Sequence, residues 1–151
     1  MYRIIEHTAD VGFEVKARTT EELFSEALLA LRETIFGKLE KEEDKKRRKT
    51  IKKIKIRGID EEDIIVSYLN ELLYLFEVKK LVFTKTKKIK IKKVNPSGND
   101  TTETELEAEI YFVKYDAKIH KIKIHIKSAT YHNIKIEKEN GCLKTTIILD
   151  V

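Results

Sequence analysis

Apolar and polar residues alternate along much of this 151-residue chain, which is the period of a half-buried β-strand. The segments VGFEVKA, at 11–17, and LKTTIILD, at 143–150, show the pattern most clearly. Short apolar or alternating runs predict strands at 2–5, 11–17, 51–58, 81–94, 103–115, 118–127, 132–139 and 143–150.

Two other segments have the spacing of an amphipathic helix. The first begins at Thr19, which forms a capping-box pattern with Glu22, and ends at Gly37, a residue type that suits a helix C-terminus. The second follows Asp60, a favourable N-cap residue, and has an acidic first turn. Its broad apolar face must be buried against a sheet and consists of Ile64, Ile65, Tyr68, Leu69, Leu72, Leu73 and Phe76.

Turn signals join the later strands, with NPSGND at 95–100 and Asn-Gly at 140–141. Sequential strands joined by short turns predict an antiparallel meander. We therefore expect an α+β fold of two layers, a mainly antiparallel β-sheet with two main helices packed on one face, in a single domain spanning 1–151. The charged stretch 38–50 is expected to be a connector or a helix tail.

The composition indicates the kind of organism and the cellular compartment from which the protein comes. The chain is 41% hydrophobic and 38% charged, and this excess of charge with abundant Ile and Lys is typical of thermophilic proteins. A single cysteine, Cys142, excludes an internal disulfide and a two-cysteine metal or redox site. The N-terminus lacks the pattern of a signal peptide, so we expect a cytoplasmic protein with no membrane partner.

Positive charge is concentrated in residues 45–57 and 79–93, and the chain carries a net charge of +5. Such segments can bind phosphates, preferably with interleaved aromatic residues for base stacking. Here the interleaved residues are Ile and Val, so the pattern favours a solvated strand face.

Common catalytic motifs are absent from the sequence. It contains no glycine-rich phosphate loop, no G-x-S-x-G and no H-E-x-x-H. His120 and His125 are an odd number of residues apart on a predicted strand, so they would lie on opposite faces and could not chelate together. His132 lies in the polar segment SATYHN, which fits either an ordinary turn or a functional site.

The C-terminal segment TIILDV offers carboxylate oxygens. Ile147 and Leu149 should share one face of a strand, with Asp150 on the other and Val151 directly after it. Carboxylates this close repel one another unless solvent or cations lie between them, and with a third carboxylate they would suit Ca²⁺ or Mg²⁺. A frayed terminus is the alternative.

Four segments together resemble the archease family, in the expected order and across the whole chain. These are HTADVG near the N-terminus, LNELLYLFE in the second helix, KSATYH late in the chain, and the final LDV. The chain departs from the usual family pattern only at Ser128, Ala129 and Val151, and these departures remove no oxygen ligand.

The resemblance implies a non-enzymatic activator of an RtcB-type, GTP-dependent RNA ligase in tRNA splicing. Family members promote attachment of GMP to the ligase and allow multiple turnover, and tRNA would be an indirect partner. The resemblance also implies a divalent cation held by Asp10, Asp150 and a backbone or terminal oxygen of Val151. Ca²⁺ is the expected ion, with Mg²⁺ or Mn²⁺ as alternatives.

Three further residues are candidates for supporting this metal site or for contacting phosphate or the ligase: His7, Lys127 and His132. His7 and the adjacent Thr8 would hold the HTADVG loop by hydrogen bonds. A basic RNA-binding module acting as a tRNA-processing chaperone is the alternative function. A metal-dependent hydrolase built on Asp10 and Asp150 is disfavoured because the sequence contains no evident general base.

Overall fold

The computed structural model describes residues 1–6, 11–38 and 47–151, and its elements confirm the predicted α+β class. Most of the predicted connector at 38–50 lies outside the described residues. In chain order the elements are β1 (Tyr2–Glu6), β2 (Val11–Ala17), α1 (Thr20–Phe36), β3 (Thr50–Gly58), α2 (Glu61–Lys79), β4 (Leu81–Val94), β5 (Glu103–Lys114), β6 (Ser128–Ala129), β7 (Glu137–Glu139) and β8 (Cys142–Asp150).

Within the described residues the strands form two sheets, and the predicted antiparallel pairing is confirmed. The predicted meander is wrong beyond β5, because β6, β7 and β8 belong to the other sheet. The first sheet has the order β1-β2-β8-β6, and β7 also pairs with β8. The second sheet has the order β3-β5-β4. The last strand returns to pair with β2 because its apolar face must reach the common core. Turn signals show where a chain reverses but not which strand it then pairs with.

Both helices start directly after the predicted N-cap residues, Thr19 and Asp60. The Thr19 hydroxyl accepts a hydrogen bond from the Glu22 N–H at 3.1 Å, and the Asp60 carboxylate accepts one from the Asp63 N–H at 2.8 Å. At the end of α1, Gly37 has a φ of 74° and its N–H donates to the Glu33 carbonyl. The capping residues therefore determine where the two helices begin and where α1 ends.

One hydrophobic core joins the helices and both sheets. α1 packs on β2 and β4, and α2 packs on β3, β4 and β6. Neither helix in the described part of the chain is long and apolar enough to cross a membrane. The largest fully buried side chains include Tyr68, Phe13, Phe24, Phe83 and Phe112.

The strand predicted at 118–127 is wrong, and that at 132–139 is correct only at Glu137–Glu139. The N–H groups of Lys123 and Ile124 donate to the Ile35 carbonyl at the end of α1, at 2.7 and 3.4 Å. Ile122, Ile124 and Ile126 pack against the core, while the residues between them, Lys123 and His125, are exposed. An extended segment lying on a core therefore has the same alternation as a strand, without a partner strand.

His120 is buried in this segment, whereas His125 is exposed. The two histidines therefore point in different directions as predicted, although the segment is not a β-strand. The imidazole of His120 lies beside the Tyr115 ring, and its Nδ1 accepts a hydrogen bond from the Asp116 N–H at 3.0 Å. Burial lowers the pKa of His120, and the charge of Arg47 lowers it further.

We expect this buried histidine to make the protein less stable in mild acid. Its pKa is lower in the folded than in the unfolded chain, so the unfolded state gains the proton first as the pH falls below about 6.5. Urea unfolding at pH 7 and pH 5 measures the loss in free energy of unfolding. His120→Asn, whose amide oxygen can replace Nδ1 as acceptor, should lose less between the two pH values. Equal losses in both proteins would contradict this assignment.

Candidate functional site

The C-terminal end of β8 has the predicted alternation. Ile147 and Leu149 are buried, while Asp150 and Val151 are exposed. The strand remains paired as far as Asp150, so a frayed terminus does not describe it. β8 thus anchors its apolar side in the core and presents the Asp150 carboxylate to solvent.

On one side, β8 is supported by β2, whose first two residues, Val11 and Gly12, are the last two of the HTADVG segment. Val11 pairs with Leu149, and a Cβ atom at Gly12 would collide with the main-chain oxygen of Ile147. The glycine therefore permits the close approach of the two strands. The predicted site residues Asp10 and His7 lie outside the described residues.

Gly12→Ala should destabilise the protein by about 1–3 kcal/mol, because the added methyl group must push β8 away from β2. Denaturant unfolding measures the change. Gly98→Ala is the control: no atom lies within 4 Å of its added methyl group, and the positive φ of 68° accounts for a cost of only about 1 kcal/mol. A Gly12 variant no less stable than the Gly98 variant would contradict the close approach.

On its other side, β8 pairs with the short strand β6. Ser128 lies opposite Asp150, and the Lys127 N–H donates to the Asp150 carbonyl at 2.8 Å. The Thr130 N–H and hydroxyl both donate to the Ile148 carbonyl at 2.9 Å. The KSAT segment, residues 127–130, thus holds the end of the strand that carries Asp150.

Asn70 of α2 holds β6 in place. Its side-chain amide donates to the Ala129 carbonyl at 3.1 Å, and its amide oxygen accepts from the Ala129 N–H at 2.7 Å. The side chain therefore takes the place of a further strand beside β6. This role was not predicted from the sequence, although an Asn between Leu69 and Leu72 in a largely apolar helix face is a signal of it.

α2 also holds the segment that follows β6. The Tyr131 hydroxyl donates to the Asp63 carboxylate at 3.2 Å and lies 3.3 Å from the Ser67 hydroxyl. Further along, the Ile136 N–H donates to the Glu62 carboxylate at 2.8 Å. Three polar side chains in the first half of α2, Glu62, Asp63 and Ser67, thus hold residues 131–136 in place.

The structure brings Lys127 to the end of β8 but gives His132 other neighbours. Lys127 is exposed and directly precedes the residue opposite Asp150. The His132 N–H donates to the Thr130 hydroxyl at 3.3 Å, and its Nε2 lies 3.3 Å from the Asn133 amide nitrogen. Within the described residues, His132 makes no hydrogen bond or ion pair with Asp150.

The end of β8 therefore presents an exposed carboxylate, and the main chain of Asp150 is hydrogen-bonded to that of the exposed Lys127. Among the described residues, no group of three or more His, Cys, Asp and Glu side chains forms a metal site. The oxygen donors present, the Asp150 carboxylate and the Val151 main chain, suit a hard divalent cation and need a further acidic ligand.

Comparison with known proteins identifies the family. The family model described as "Archease protein family (MTH1598/TM1083)" matches residues 2–151. The chain belongs to the archease family. The archease of Methanosarcina barkeri is 31% identical over 150 residues, which cover 99% of this chain and 95% of the relative. That of Pyrococcus furiosus is 36% identical over 135 residues, covering 88% and 85%.

Two solved structures share the archease fold of this chain. The solution structure of Methanobacterium thermoautotrophicum protein 1598 has a TM-score of 0.73 at 23% identity, with 99% of this chain and 98% of that one covered. The crystal structure of a Thermotoga maritima archease, described as a possible chaperone, has a TM-score of 0.61 at 26% identity, with 100% and 98% covered. The likeness extends over both sheets and both helices.

Proposed function

We propose that this chain activates an RtcB-type, GTP-dependent RNA ligase in tRNA splicing without being an enzyme itself. It would promote attachment of GMP to the ligase and allow repeated rounds of joining in the cytoplasm. The observation that carries the proposal is the exposed Asp150 carboxylate, held at a rigid strand end beside Lys127. Membership of the archease family supports it.

The proposed site holds a divalent cation through oxygens of Asp10, Asp150 and Val151. Its donor chemistry fits Ca²⁺, with Mg²⁺ or Mn²⁺ as alternatives. Convergence of the two aspartates is supported by the strand register, because Val11 follows Asp10 in the chain and pairs with Leu149, which precedes Asp150. When bound, such a cation would neutralise and orient phosphate oxygens.

Residues around this site would orient the Asp150 carboxylate and contact the partner. The Asn70 amide and the main chain of β6 hold the end of β8, so the Asp150 carboxylate needs no rearrangement when a partner docks. Lys127 would contact a nucleotide phosphate or the ligase from the same edge. His7 and His132 would support the surrounding loops.

The proposed function is tested by joining of RNA ends by the purified cognate ligase. A small amount of this protein, well below the ligase concentration, should convert a single round of joining into many rounds. Joined product per ligase molecule is measured with and without the protein. Product that stays at one equivalent in both reactions would remove the activator role.

A further inference from the structure

The sheet formed by β3, β5 and β4 carries a second set of charged groups on its outer face, the face that bears Tyr111. β5 contributes a central column of glutamates, and three of them lie between two cations from the neighbouring strands. The flanking pairs are Arg57 and Lys92 beside Glu105, Lys55 and Lys90 beside Glu107, and Lys53 and Lys88 beside Glu109.

At one end of this face the charges neutralise one another. Glu105 is only 2% exposed and accepts a hydrogen bond from Arg57 at 3.0 Å. Lys55 and Lys92 lie 3.3 and 3.5 Å from the same carboxylate. The hydrogen bond from Arg57 holds the pKa of Glu105 below its ordinary value. This end fits the solvated, ion-paired strand face that the sequence pattern favours.

Towards Tyr111 the positive charge is in excess. Lys53, Lys88 and Lys90 are exposed and form no ion pair with any residue in the described ranges. The Tyr111 ring, on the central strand, has the ammonium groups of Lys49 and Lys85 at 5.9 and 5.7 Å from its centroid. Ion pairing among the residues that the structure describes therefore does not account for Lys53, Lys88 and Lys90.

The shape of the face also suits an extended ligand. A depression of about 450 Å³ lies along it, with lysines on both sides. Lys53, Lys55, Lys88 and Lys90 line it from the two outer strands, and Glu107 and Glu109 line it from the central strand. Rows of residues on one strand face repeat about every 6.8 Å, so the lysines form two parallel columns instead of one point charge.

We propose that this outer face binds a single-stranded nucleic acid, with phosphates on Lys53, Lys88 and Lys90 and an unpaired base on Tyr111. A basic groove combined with an aromatic stacking platform is the arrangement used for single strands. An acidic protein surface would pair with the lysines but, unlike an unpaired base, would not stack on the Tyr111 ring beside Lys49 and Lys85. The position of an aromatic ring between the basic segments was not predicted from the sequence, because Tyr111 lies on β5 and the basic segments form β3 and β4. The proposal does not depend on ligase activation.

Fluorescence anisotropy with a labelled 15-nucleotide single-stranded RNA tests the phosphate contacts. The full-length protein should bind at 50 mM salt and lose affinity steeply by 200 mM. The triple variant Lys53→Ser, Lys88→Ser, Lys90→Ser should bind at least tenfold more weakly at 50 mM, with a logarithmic salt slope reduced by about two.

A matched triple variant, Lys79→Ser, Lys118→Ser, Lys138→Ser, removes the same charge from exposed positions elsewhere. It should retain nearly all of the affinity. Equal weakening of both triple variants would show attraction to net charge alone and would overturn the proposal.

Tyr111→Leu tests the stacking contact. It should weaken binding of the single strand about five- to a hundredfold and have little effect on a duplex of the same sequence. Unchanged single-strand affinity would overturn the base contact. Failure of the wild-type protein to bind the RNA would overturn the proposal. Tighter binding to polyglutamate than to the RNA would also overturn it and would assign the face to an acidic protein partner.

Discussion

Asp150→Asn should reduce ligase stimulation to the level seen without the protein. The substitution removes one negative charge from an exposed side chain that makes no hydrogen bond or ion pair within the described residues. The free energy of unfolding should therefore change by less than about 0.5 kcal/mol. A cation bound by three oxygen groups should lose at least tenfold in affinity when one becomes neutral.

Asp100→Asn is the matched control for this experiment. Asp100 is an exposed aspartate in the turn between β4 and β5, so the two variants have the same net charge. The control should stimulate the ligase and bind Ca²⁺ as the wild type does. Full stimulation by Asp150→Asn would remove the carboxylate mechanism, even if the wild-type protein is an activator.

Asn70→Ala should have the largest effect on stability of the substitutions considered. It leaves both the N–H and the carbonyl of Ala129 without their side-chain partner, at a residue only 4% exposed. Buried polar groups without partners cost about 1–3 kcal/mol each, so we expect a loss of about 2–4 kcal/mol in the free energy of unfolding. β6 would then no longer fix the end of β8.

Denaturant unfolding and Ca²⁺ titration calorimetry, measured well below the unfolding transition, separate the two consequences. Ser67→Ala is the control, because it lies on the same helix and removes only the contact with the exposed Tyr131. Asn70→Ala should lose both stability and cation affinity, whereas Ser67→Ala should lose little of either. Normal Ca²⁺ affinity in folded Asn70→Ala would contradict a positioning role for this residue.

The elements that could be predicted from the sequence are those determined by near neighbours in the chain. Thr19 and Asp60 cap their helices through hydrogen bonds that span three residues. The faces of β8 follow from alternation alone, and Asn140 and Gly141, with φ of 52° and 79°, form the predicted turn. These signals are local, so burial elsewhere in the molecule does not change them.

The features that escaped prediction depend on partners far apart in sequence. Asn70 and Ala129 are 59 residues apart, and their contact leaves no local pattern. Residues 118–127 alternate because they lie on the core, and the carbonyl of Ile35 takes the place of a neighbouring strand. Hydrogen-bond partners of this kind are determined by how the layers pack, not by the period of the segment.

The two proposed functional surfaces, the end of β8 and the outer face of the β3-β5-β4 sheet, lie on different sheets. The first sheet presents Asp150, with Lys127 beside its last strand, and the second presents Tyr111 and the lysines of its outer face. Both sheets share one core, so a ligand on either surface stabilises the same fold. The proposed RNA contact and ligase activation can therefore be separated by the triple lysine variant, which leaves the end of β8 unchanged.

The central claim is tested most directly by the initial rate at which the purified cognate ligase acquires GMP from labelled GTP. Our account predicts a rate at least tenfold higher with the wild-type protein than without it, and no increase with Asp150→Asn. Equal rates with and without the wild-type protein would contradict the account.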